Sequence, residues 1–188
     1  MNKNKMLIFF VCLLFLTSCI GSSLTSIAGN AAISKKGFEG SYEDTIIYTK
    51  IKTILLKFKL TSFSNISVIV FNGEVLLTGV IQDGIDRLRI IKKIWEIKGV
   101  NTIYNEIVIE KNYSIYQKSK DVILNSKIKT FILFNKKILS NNYSIDTYKG
   151  IVYLIGVSES LEEMQEIENY IKNIDGVKKL VSFVKQVR

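Results

Sequence analysis

The sequence predicts an α+β protein made of two copies of one α-β-β-α-β module. Each copy should form a three-stranded mixed sheet covered on one face by two helices. Three observations carry this expectation. The chain repeats itself: Asp44 matches Asp121, 77 positions on, and the register then holds without a gap. Lys50-Ile51-Lys52-Thr53 falls on Lys127-Ile128-Lys129-Thr130, Gly73 on Gly150, Gly79 on Gly156, and Gly99-Val100 on Gly176-Val177, with about 20 of 66 aligned positions identical. A repeat this long, present only twice, implies two small domains and not a solenoid. Within each copy the apolar period changes from helical to strand-like and back. Glycine-containing turns punctuate the changes.

The elements follow in order. From Asp44 to Leu60, Ile47, Ile51, Ile54 and Leu55 recur at helical spacing, and Asp44 and Asp121 stand where N-caps belong. Ile66-Ser67-Val68-Ile69-Val70 is short and β-branched, a strand. Asn72-Gly73 is a tight hairpin signal, because both residues tolerate φ > 0. Val75 to Val80 is the return strand, and Ile85 to Lys98 a second amphipathic helix with Gly99 as its C-cap. Val100 to Ile109 closes the copy. The second copy reads as Asp121–Leu139, Tyr143–Tyr148, Ile151–Val157, Leu161–Asp175 and Val177–Val187. A β-α-β step within one sheet makes the third strand parallel to a neighbour while the hairpin stays antiparallel. Domains this small bury a modest fraction of their surface, so the copies should pack on each other or lean on a membrane.

The N-terminus is of another kind. Lys3 and Lys5 precede eleven uncharged, mostly apolar residues, Met6 to Leu16. At about 1.5 Å per residue this run is too short to cross a ~30 Å hydrocarbon core, so residues 1–18 read as an export signal. Leu16-Thr17-Ser18-Cys19 then resembles the lipobox of bacterial lipoproteins. That resemblance makes Cys19 the lipidation site, carrying covalent diacylglycerol and an N-acyl chain; an ordinary export signal with an incidental cysteine is the alternative. Ile20 follows, with no Asp to retain the chain at an inner membrane, which by the enterobacterial sorting rule implies the outer one. Residues 19–42 are rich in Gly, Ser and Ala and read as a flexible tether. The domains then span 43–110 and 121–188, joined by a linker, 111–120, that carries three lysines and no acid.

Composition narrows the chemistry. Histidine is absent, and of two cysteines Cys12 lies inside the leader. The commonest general base and metal ligand are therefore missing, so no metal site, cofactor, catalytic residue or small-molecule substrate is expected. Lys3 and Lys5 supply two of the +9 formal charges, leaving +7 from Cys19 onward. A basic exported chain points to an anionic membrane surface and not to nucleic acid.

Asn72-Gly73-Glu74-Val75-Leu76-Leu77-Thr78-Gly79-Val80 and the two Gly-Val pairs resemble the BON domain, and Ile103-Tyr104-Asn105-Glu106-Ile107 strengthens the match to its lipoprotein branch. Two such domains behind a lipobox resemble the dual-BON outer-membrane lipoproteins of the DolP/YraP type, with the periplasmic OsmY as a soluble relative. The resemblance departs at Lys149-Gly150-Ile151, where the second hairpin lacks Asn-Gly-Glu. It implies a non-enzymatic protein linked to outer-membrane integrity, whose second domain binds anionic phospholipid through its first helix. On a helical wheel Leu124, Ile128, Phe131 and Ile132 form the core stripe, while Ile123, Lys127, Thr130, Phe134 and Lys137 fall on the other side. An outward Ile and Phe among lysines suit an anionic interface. The first copy has Lys57 in place of Phe134, so the second domain is the expected membrane reader. The following helix is acidic, with Glu162, Glu163, Glu166 and Glu168 along a solvated face. Phe134 could instead pack on the neighbouring domain, with the lysines a solvated face, and Trp95 should pack on the sheet or the domain interface. The rival function is a protein-interaction adaptor of the envelope, of the osmotic-stress type, docking partners through exposed strand edges.

Overall fold

The computed structural model describes residues 37–58, 65–111 and 113–187. The expected signal, Cys19 and most of the expected tether lie outside them. The elements are α1 (Gly37–Lys57), β1 (Ile66–Phe71), β2 (Glu74–Ile81), α2 (Gly84–Trp95) and β3 (Thr102–Ile109). The second copy supplies α3 (Ile115–Phe134), a 3-10 turn (Ser140–Asn142), β4 (Tyr143–Tyr148), β5 (Ile151–Ser158), α4 (Leu161–Lys172) and β6 (Lys179–Gln186). Every strand, and α2 with α4, repeats at the 77-residue offset.

Each sheet runs in chain order, β1-β2-β3 and β4-β5-β6. The hairpins are antiparallel, with Ile66 opposite Gly79 and Tyr143 opposite Gly156. The third strands are parallel to the second, with Glu74 opposite Thr102 and Ile151 opposite Lys179. One face of each sheet is covered by its own helices. Ile47, Ile51 and Leu55 of α1 and Ile90 and Ile94 of α2 pack on Val75, Leu77 and Ile81. Leu124, Ile128 and Ile132 of α3 and Ile167 and Ile171 of α4 pack on Val152 and Leu154.

The other faces of the two sheets meet. Phe71, Leu76 and Val80 join Tyr148, Tyr153 and Ile155 in a third core, and Tyr104 stacks on Phe183 with centroids 4.0 Å apart. The result is four layers: helices, sheet, sheet, helices. Strands buried on both faces explain why β2 and β5 read as near-continuous apolar runs. Polar pairs rim the contact. Thr78 donates to Asp146, Lys185 pairs with Glu74, and Lys149 Nζ lies 2.5 Å from Glu110. Tyr148 donates to the same Glu110 at 3.0 Å.

Several boundaries and roles differ from the sequence reading. Residues 37–42, expected as tether, begin α1, and the expected linker 111–120 is helical from Ile115. Helix α3 is capped by Ser114, whose Oγ accepts from the Gln117 amide at 3.1 Å. Asp44 and Asp121 are not N-caps. Each lies within its helix, buried, and its carboxylate takes the two amides at the tip of the hairpin: Asn72 and Gly73 at 2.8 Å each, Lys149 and Gly150 at 2.6 and 2.9 Å. Both hairpins turn through positive φ at both central residues, 52° at Asn72 and at Lys149, so the missing Asn-Gly-Glu does not change the turn. The helices preceding the Gly-Val pairs end earlier than expected, at Trp95 and Lys172, and Gly99 and Gly176 lie in the turns beyond. Trp95 is not packed inside; it stands 52% exposed.

Candidate membrane-contact surface

Helix α3 is amphipathic in an unusual sense, because both of its sides carry apolar residues. Its inner side buries Leu124, Ile128 and Ile132 with Asp121. Phe131, expected in that stripe, is only half-buried and stacks on Tyr170 of α4, with ring centroids 3.4 Å apart. The outer side exposes Ile123 at 57% and Phe134 at 77%, with Lys127 and Thr130 exposed between them. Four of the five expected surface residues therefore share one face. Lys137 does not, because the helix stops at Phe134; it lies in the turn beyond, 3.7 Å from Glu166.

The face is longer than the sequence reading made it. The helix begins at Ile115, not at Asp121, and its first turns expose Ile115 and Tyr116. The missed signal was Ser114 with Gln117 three residues on, the arrangement of a capping box. At 100° per residue Tyr116, Ile123 and Phe134 align within about 20° of one another, with Ser119, Ser126 and Thr130 beside them. Lys120 and Lys127 border this strip on one side, and Leu133 and Val122 lie on the other, with Lys129 and Lys118 further round, about 120° and 140° from Ile123. Lys120 Nζ sits 4.4 Å from the Tyr116 ring. A shallow groove runs beside the strip, walled by Phe131, Phe134 and Tyr170.

Electrostatically the helix is nearly all cation. Its single carboxylate, Asp121, faces inward and accepts from Tyr113 Oη at 2.6 Å and Gln117 Nε2 at 3.0 Å besides the hairpin amides. Burial, then the Asp121 carboxylate, pushes the Tyr113 phenol well above its usual range. The acidic face expected of α4 is smaller than read. Glu163 is buried, accepting from the amides of Leu139 and Glu159 at 2.8 and 3.0 Å and from Ser158 Oγ at 3.1 Å. Tyr104 takes part in the domain contact, and its hydroxyl donates to Glu74 at 3.0 Å. Among the described residues no cluster of His, Cys, Asp and Glu could hold a metal ion, and no helix is long and apolar enough to cross a membrane.

Two stacked α-β-β-α-β units define a dual-domain protein, and comparison gives the family. The chain belongs to the BON-domain family, whose model matches residues 43–111 and 120–188. It has the dual arrangement of the DolP type. An uncharacterised protein of the gshII 5′ region of Anaplasma centrale is 33% identical over 144 residues, 76% of this chain and 94% of the relative. The outer membrane lipoprotein DolP of Haemophilus influenzae is 24% identical over 188 residues, covering 97% of this chain and 95% of that one. The osmotically inducible protein Y of Escherichia coli is 24% identical over 161 residues, covering 84% and 80%.

Proposed function

We propose that this chain is an envelope lipoprotein, anchored through acyl chains on Cys19, that binds anionic phospholipid through α3 and supports outer-membrane integrity. It acts by contact and not by catalysis. The observation that carries the reading is the outer face of α3, where exposed Ile123 and Phe134 stand among unburied lysines. Each lysine near an anionic surface contributes about 1 kcal/mol, and the apolar side chains add insertion. The likeness to the lipoprotein DolP and the lipobox-like Leu16-Thr17-Ser18-Cys19 support the envelope setting. The acyl chains would give the stable anchorage that one helix face alone does not.

The test uses residues 20–188, so that no leader or acyl anchor contributes. Cosedimentation with vesicles containing phosphatidylglycerol is expected, and Phe134→Asp with Lys127→Glu should reduce it at least tenfold. Unchanged binding by that double variant removes α3 as the contact.

A further inference from the structure

The 77-residue repeat lets each surface position be compared with its twin, and α2 and α4 differ sharply. Ile85, Leu88 and Trp95 lie on the outer side of α2, 59%, 66% and 52% exposed. Their twins in α4 are Glu162, Gln165 and Lys172. The fold therefore has no need of apolar side chains at these places; its own needs are met by Ile90 and Ile94, whose twins are Ile167 and Ile171. At 100° per residue the three exposed residues fall within an arc of about 80°. Lys92 lies inside that arc, Arg89 beside it, and Lys98 just beyond the helix end. The acids of the segment are held locally: Asp83 caps the helix at the Ile85 amide, Asp86 is 3.4 Å from Arg89, and Glu96 is 2.9 Å from Lys93. Single exposed apolar residues are ordinary on a protein surface. A tryptophan with two aliphatic residues on one arc, rimmed by Arg and Lys, has the make-up of an interfacial helix.

We propose that the outer face of α2 is a second contact site for an anionic lipid surface. The inference rests on the reading of α3 as the first. Helices α1 and α2 pack on one sheet, α3 and α4 on the other, and the sheets meet through their bare faces. The α2 face belongs to one helix layer and the α3 face to the other, and the layers approach at one edge, where Tyr48 and Lys52 of α1 wall a cavity with Lys118 and Val122 of α3. A molecule held at α3 that presents α2 to another membrane surface would bridge the two.

A second copy of the chain is the rival occupant, with α4 as the acidic helix that would supply it. Three of its four carboxylates are already engaged, and Glu162 alone stands exposed at the helix start. Glu163 is buried, Glu166 holds Asn135 at 2.9 Å and faces Lys137, and Glu168 holds Lys172 at 3.0 Å. The charge complementarity of α2 is therefore better met by lipid phosphate.

Trp95 is the only tryptophan in the chain, so its emission reports this face alone. The full chain is reconstituted at equal density in phosphatidylcholine vesicles with and without phosphatidylglycerol. The expected result is a blue shift, and quenching by spin-labelled acyl chains, only where phosphatidylglycerol is present. Protein-bearing vesicles should also capture protein-free phosphatidylglycerol vesicles, and Ile85→Asp with Leu88→Asp should abolish both effects with an unchanged far-UV spectrum. If that variant fails to fold, the wild-type comparison of lipid compositions decides alone. Phe134→Trp in a Trp95→Phe chain reports α3 separately. A responding Trp95 with a silent position-134 probe upholds the α2 site and removes the α3 reading. A responding position-134 probe with unmoved Trp95 emission overturns the α2 site and leaves α3. A Trp95 shift that follows protein density and ignores lipid charge is self-association, and overturns the proposal as well.

Discussion

Asp44 and Asp121 perform one task 77 residues apart. Each reaches from a helix to the tip of a hairpin and takes both of its central amides. Charge-assisted bonds of this kind, made by a buried group, are among the stronger local contributions, and losing the acceptor leaves two amides unpaired. Asp121→Ala should therefore destabilise the protein by about 2–4 kcal/mol in urea unfolding, and Asp44→Ala by a similar amount. Asn should recover only part, since its NH2 opposes the second donor. The sequence could not reveal this role. A polar residue ahead of an apolar stripe looks like a cap, and its true partners lie 28 and 29 residues away. The same contact explains Lys149. A left-handed lysine costs about 1 kcal/mol or more, but Asp121 fixes its amide and Gly150 takes the second positive φ.

At the level of elements, the helices were legible because each has one periodic face, and the strands because they are short β-branched or apolar runs ended by glycine-containing turns. Leu124, Ile128 and Ile132 lie inward as their spacing demanded, and the hairpins fall where Gly73 and Gly150 put them. Helix starts were not legible. Residues around Gly37 carry no apolar period, and the start of α3 is marked only by polar Ser114 and Gln117, ahead of the first buried residue, Asp121. The strands also depend on close approach. A Cβ on Gly156 would lie 2.2 Å from the Asn142 carbonyl oxygen, and one on Gly79 1.9 Å from that of Asn65. Nothing but backbone movement relieves such a clash. Gly156→Ala and Gly79→Ala should each lower stability by at least about 2 kcal/mol, read as a shift of the urea midpoint.

For the whole molecule, the deciding feature is the sheet-to-sheet contact. Its signal lies in Val75–Ile81 and Ile151–Val157, apolar but for Thr78, Gly79 and Gly156, a pattern that suits a strand covered on both sides. What covered the second side was not visible, because no residue pattern distinguishes a twin domain from a membrane. Tyrosines line the contact, and their ionisation should loosen it. Burial, then Glu110, raises the Tyr148 phenol, and burial pushes Tyr153 up to about 12. A raised phenol means the fold favours the neutral form. This stability is complete below the ordinary value of ~10 and is lost as pH rises, because the unfolded phenol ionises first. Lys185, raised chiefly by its hydrogen bond to Glu74, adds a loss of the same sign. The urea midpoint should stay flat to about pH 9.5 and then fall, and Tyr148→Phe with Tyr153→Phe should flatten the decline. The mutual covering of the sheets also bears on ancestry. Once Leu76 and Val80 had come to rest against Tyr153 and Ile155, deleting either half would have left the survivor with a greasy, sticky flank. Duplication of this kind works as a ratchet: each module now shields the flank that its twin would otherwise leave bare.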